Sequence, residues 1–144
     1  MDNVIYVEGF DANLAPDAFH MWAMHYYECK QQFKPPRDFS PVPYFLLCRA
    51  IELEIKSRHL REKKQDEVKD KFGHKLIKAY EALNPKEQIL SIEELDILQQ
   101  ADNIYYRKDF EYFEPEDVAS GYSRYPDLQM LDRVAEKLIR QSPT

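Results

Sequence analysis

Glycine is scarce: Gly9, Gly73 and Gly121 are the only three in 144 residues. Three isolated glycines cannot build a phosphate-cradling loop, and they argue against a turn-rich all-β fold. Cysteine is as sparse. Cys29 and Cys48 lie nineteen positions apart, and no closely spaced histidine pair follows them, so no zinc pattern exists. His20 and His25 are five apart on one helical pattern, a spacing that turns them by about 140° and denies them a shared ligand face. No metal and no cofactor is expected. No apolar run approaches the ~18 residues that a membrane span needs, and the stretch from Met1 to Gly9 lacks the basic start of a signal peptide. Both cysteines sit among apolar neighbours and read as reduced core thiols, which favours a cytoplasmic protein.

What the chain has is apolar and charged in good measure. It is 44% hydrophobic and 13% aromatic, enough to fold and too much for a disordered chain. Its length suits one domain with a real core. The net charge of −6 is unevenly spread. Residues 56–78 carry nine Lys or Arg against four Asp or Glu, whereas residues 87–117 carry two against ten. The basic stretch reads either as a solvated helix end or as a surface for a polyanion or an acidic partner.

Prolines punctuate the helical patterns. In "NLAPDAF", Pro16 and Asp17 fall where a first helical turn wants them. Phe19, Trp22, Ala23, Tyr26 and Phe33 follow at helical spacing, and the helix is expected to stop before "KPPRD". In "SPVPYFLLCRAIELEIKSRHL", Ser40 is a candidate cap. Apolar residues from Tyr44 to Leu60 form a face wide enough for a central helix packed on more than one side. Glu52–Lys56 and Glu54–Arg58 are i,i+4 pairs in the favourable orientation, and Glu52–Lys56 reads most simply as a surface pair. His59 is expected in solvent. A charged loop over roughly 62–71 leads to a short helix with Leu76, Ile77, Tyr80 and Leu83 on one side. Ser91 and Glu94 form a capping box for the next helix, "EPEDVASGYSRYPD" reads as a loop, and "LQMLDRVAEKLIR" closes the chain. "NVIYV" fits a short strand or an ordered arm. The sum is an all-α, single-domain bundle of about five helices over residues 15–141, behind an N-terminal arm at 1–14.

His74 stands out within "KFGHKL". Gly73 frees the backbone before the helix. His74 is placed in the first turn, where a positive charge opposes the helix dipole and a neutral imidazole is expected. The ring serves either to tie the loop to the bundle or to do chemistry. Arg107 and Tyr112 lie in the polar-aromatic run "YYRKDFEYF", whose rings suit a half-buried rim, a pocket or an interface.

The order "PYFLLCRAIELEIKSRHL", charged loop, "KFGHKLIKAYEAL", then "NIYYRKDFEYF" resembles the HEPN domain superfamily over roughly residues 16–140, most closely at "AIELEIK" and "FGHKL". The resemblance implies a small helical bundle of the kind found beside nucleotidyltransferases and in toxin–antitoxin and phage-defence systems. Its catalytic branch carries Glu-x3-Lys/Arg on one helix and Arg-x4–6-His on a later one, which together cleave RNA without metal. Glu52 and Lys56 match the first element. The second is missing: His74 lies thirteen residues after Arg61, and no histidine follows Arg107. The resemblance therefore implies a non-catalytic binding or interaction module. Its partner would be a second copy, another protein, or an RNA or nucleotide fragment. The candidate ligand site is Glu52, Lys56, His74, Arg107 and Tyr112. Lys56 and Arg107 would contact an anion, His74 and Tyr112 orient it, and Glu52 hold Lys56. The alternative is a divergent metal-independent endoribonuclease with His74 as acid/base and Arg107 as phosphate clamp.

Overall fold

The computed structural model describes residues 4–7, 10–107, 110 and 112–141. Parts of two sequence readings lie outside the described residues: residues 1–3 and 8–9 of the arm, and Lys108, Asp109 and Glu111 of the "YYRKDFEYF" run. In chain order the elements are β1 (Val4–Val7), β2 (Phe10–Asn13), α1 (Ala15–Gln32), α2 (Val42–His59), α3 (Gln65–Phe72), α4 (Leu76–Glu81), α5 (Ile92–Tyr105), α6 (Pro115–Ala119) and α7 (Leu128–Arg140), with a 3₁₀ turn at Pro85–Glu87. The two strands form an antiparallel hairpin in which Val4 faces Asn13 and Val7 faces Phe10. The rest is an all-α bundle, and no helix among the described residues is long and apolar enough to cross a membrane.

Local chemistry sets the helix ends. Pro16 lies in the first turn of α1 beside Asp17, and α1 stops at Gln32, ahead of the proline pair. Pro41 caps α2, and Ser40 Oγ accepts a hydrogen bond from the Val42 amide at 3.2 Å. Ser91 and Glu94 cap α5 reciprocally, as their spacing predicts. Asp127 accepts from the Met130 amide at the start of α7.

α2 is the hub. It packs against α1, α4, α5 and α7, and from Leu47 to Leu60 only Arg49 and Lys56 escape full burial. Leu47, Ile51 and Ile55 meet Leu131, Val134 and Leu138 of α7 and Leu98 of α5 in one core cluster. Each such side chain contributes about 1.5–3 kcal/mol by leaving water. A helix packed on several sides is where its polar residues become informative, because they are buried with it.

Several expectations are corrected. Among the described residues there are seven helices, not five. The charged loop contains α3, which only Val68 and Phe72 anchor in the core. Its other signals are electrostatic: acids Asp66 and Glu67 in the first turn, Lys69 and Lys71 in the last. α6 starts at Pro115 with Glu116 and Asp117 behind it, the same proline-plus-acid opening as α1. His59 is 4% exposed rather than solvated. Its Nε2 lies 2.8 Å from the Ala79 carbonyl and its ring 4.5 Å from that of Phe72, so it staples α2 to α4. Burial holds its pKa below the usual histidine value. Cys48 is buried and its thiol pushed up by burial, but Cys29 is exposed. Trp22, read into the α1 stripe, is 48% exposed: eighteen residues of α1 lie mainly on one neighbour, α2, and leave a wide outer face.

Candidate functional site

Glu52 is 2% exposed, and four side chains converge on its two oxygens. Arg49, one turn earlier on α2, brings Nη1 to 2.9 Å from Oε1. Lys56, one turn later, brings Nζ to 2.5 Å from Oε2. The Tyr105 hydroxyl, from the last turn of α5, donates to Oε1. His74 Nδ1 lies 2.8 Å from Oε2. Glu52 is therefore the floor of a polar site, and its contact with Lys56 is not a surface pair.

The electrostatics follow. Burial alone would push the Glu52 carboxyl up, but the Lys56 charge, the hydrogen bonds from Lys56 and Tyr105, and His74 outweigh it and hold the group below the usual carboxylate range. Burial and the Glu52 charge push the Tyr105 phenol up, so it stays a protonated donor. At Arg49 burial works against the charged form and Glu52 more than restores it. The site holds two fixed cations against one carboxylate. It opens to solvent on the His74 side, where that side chain is 54% exposed.

His74 is delivered by its backbone. Gly73 ends α3 at φ +54°, ψ −124°, a conformation that side chains strongly disfavour. His74 then precedes α4, whose first residue is Leu76, and so stands before the helix rather than in its first turn. Asp102 on α5 fixes α4 by accepting the Leu76 amide at 2.8 Å. Burial raises the Asp102 pKa against those backbone hydrogen bonds. Glu52 on α2, Tyr105 on α5 and the α3–α4 turn thereby meet at one point, and His74 packs edge-on to Tyr105 at 5.9 Å.

The other two predicted residues go elsewhere. α5 ends at Tyr105, so Arg107 lies in the turn beyond it. Its guanidinium sits over the Tyr106 ring, 5.9 Å from the centroid, and it lines a depression with Glu114, Asp117 and Arg124. Tyr112 lines another pocket, beside Phe39 and Tyr122. Neither depression includes Glu52, Lys56 or His74. Arg49 and Tyr105 are the site residues that sequence reasoning missed. Arg49 had a signal, the i,i+3 spacing to Glu52; Tyr105 had none, since only tertiary packing brings it to α2.

A second carboxylate on α2, Glu54, points to the α1–α7 side and is fully buried. His20 Nδ1 lies 2.6 Å from it and Arg58 Nε 3.7 Å. Arg58 also donates to the Leu138 carbonyl at 2.6 Å, tying α2 to the end of α7. Among the described residues no cluster of three or more His, Cys, Asp or Glu side chains is arranged to hold a metal ion.

No family model, no curated protein and no solved structure matches the chain.

Proposed function

We propose that the protein is a binding module that takes up an anionic group, of the phosphate type, at the rim formed by Arg49, Lys56 and His74. The observation that carries this reading is the charge imbalance around Glu52: two permanent cations and a histidine share one buried carboxylate. An ammonium has three N–H donors and a guanidinium five, more than one carboxylate absorbs. Glu52 and Tyr105 act as the frame that fixes the donors. The resemblance to HEPN domains and the basic 56–78 stretch extend the reading to an RNA or nucleotide fragment, with assembly into a homodimer or with another protein as a further expectation. The free thiols of Cys29 and Cys48 suit a reducing, cytoplasmic setting.

Calorimetric titration with inorganic phosphate and with a nucleoside monophosphate tests it. Lys56→Gln and Arg49→Gln are each expected to weaken binding roughly tenfold, the worth of one charge-assisted hydrogen bond, and more at low salt. Arg107→Ala should leave it unchanged. Equal affinity in wild type and both α2 variants would overturn the assignment. One further observation favours a second reading: His74 Nδ1 is held by a buried carboxylate, which leaves Nε2 for acid/base work in a divergent endoribonuclease. Incubation of the same preparation with RNA in EDTA decides it, since a nuclease of this kind cuts and its His74→Ala variant does not.

A further inference from the structure

An aromatic cluster adjoins the Glu52 site through Phe110, whose ring lies 6.3 Å from that of Tyr105, but its pocket has no part in that reading. Phe39, Phe110, Tyr112, Phe113, Tyr122 and Tyr125 line one pocket of about 260 Å³. Tyr122 and Phe39 stack with centroids 3.6 Å apart and planes 13° from parallel. Tyr125 meets Phe39 edge-on at 5.0 Å and Phe110 at 6.2 Å. The arrangement is built against the backbone's preference. Tyr122 takes φ +60°, a region that bulky residues avoid, and its amide is held by the Asp117 carbonyl at 2.7 Å. Two rings stay in water at the rim: Tyr112 is 71% exposed and Phe113 72%.

Charge identifies the occupant. Glu114 and Asp117 join the rings in lining the pocket, and among the described residues no Lys or Arg does. Such a wall repels phosphate and attracts cations. One cation already uses these rings: the Arg124 guanidinium lies 5.7 Å from the Tyr125 centroid, with Asp117 accepting from it at 2.6 and 2.7 Å. Arg124 thus answers Asp117, and Glu114 is the carboxylate left to face a guest. The volume is below the ~300–1,000 Å³ of pockets for whole drug-sized ligands, so the guest is a head group. Aromatic walls favour a cation that gives up its water cheaply, which describes an alkylated ammonium better than a primary one.

We propose that this pocket binds a quaternary ammonium head group, with the rings of Tyr112, Phe113 and Tyr122 supplying cation–π attraction, Phe39 backing Tyr122, and Glu114 supplying the counter-charge. The head group belongs either to a free choline-like molecule or to a trimethylated lysine side chain. Proton NMR titration of the full chain with choline tests the shared chemistry. Its uncharged isostere, with a tert-butyl group in place of trimethylammonium, is the control. Saturable shifts of aromatic signals by choline are expected, with the isostere at least about tenfold weaker. A peptide bearing trimethyl-lysine, set against the same peptide with plain lysine, separates the sources: tighter binding of the methylated peptide than of choline assigns the side chain, and the reverse assigns the free molecule. Tyr112→Ala and Phe113→Ala, both exposed and so safe for folding, should each weaken binding by about 2- to 30-fold, and Glu114→Gln should weaken it without loss of fit. Equal affinity for choline and its neutral isostere would overturn the proposal. So would saturation by neither choline nor the methylated peptide, or affinity unmoved in both ring variants.

Discussion

Replacing Glu52 by glutamine keeps the side chain's volume and removes its charge. The amide also turns one acceptor into a donor, so at least one of Arg49, Lys56, Tyr105 and His74 faces an N–H instead of an oxygen. Breaking a buried ion pair from one side costs about 3–5 kcal/mol. Two of the stranded groups recover some water, since Arg49 is 32% exposed and His74 54%; Lys56 at 12% and Tyr105 at 7% recover little. The cost should therefore fall near the bottom of that range, about 3 kcal/mol, out of a total of about 5–15 kcal/mol for a typical domain. For a chain of this length that lowers Tm by roughly 6–12 °C. Urea unfolding followed by circular dichroism measures the difference, with exposed Glu93→Gln as a control expected within about 0.5 kcal/mol of wild type. The pH dependence gives an independent check. The Glu52 carboxyl titrates below its unfolded value of about 4.3, so around that pH the folded state holds fewer protons than the unfolded chain. Its contribution is complete above about pH 5 and is lost as pH falls through the lower folded value. That part of the acid limb should vanish in Glu52→Gln. A loss under about 1 kcal/mol, or an unchanged acid limb, would refute the picture of a charged carboxylate holding its neighbours.

Other consequences follow from residues that the sequence misplaced. His59 is buried beside Phe72 with its pKa lowered, so its contribution is complete above about pH 6.5 and is lost as pH falls through the lower folded value. Thermal unfolding of His59→Gln between pH 5 and 8 should show a shallower slope than wild type in the acidic half. A thiol-counting reagent should find one reactive cysteine in the native protein and two in denaturant, because Cys29 is exposed and Cys48 buried with its thiol pushed up. Two rapid native thiols would contradict the burial of Cys48.

The sequence by itself determined the helices whose signals are local. Pro16 with Asp17, the Ser91–Glu94 box and the apolar face of α7 each act within a few residues, and each lies where its spacing predicts. α3 was obscured because charge rather than apolar periodicity supports it, and α6 because five residues are too few for a period to register. The breadth of the α2 stripe announced a central helix, yet Glu52 read as half of a surface pair and His59 as solvated, whereas both are buried along with Glu54 and Arg58. A charge's fate, however, depends on what packs over it, and helical spacing cannot supply that.

Only the tertiary structure decided which of the five candidate residues meet. Glu52 and Lys56 share a helix, so their contact was legible. His74 reaches them because Gly73 turns the chain and Asp102 pins α4, two effects separated by almost thirty positions in sequence. Arg107 misses them because α5 ends two residues earlier, at Tyr105. Tyr105 takes the place at Glu52 instead, and Phe110 packs against Phe45, Tyr105 and Tyr125. Local propensity sets where each helix starts and stops; the packing of several apolar faces on α2 sets which polar side chains share a site.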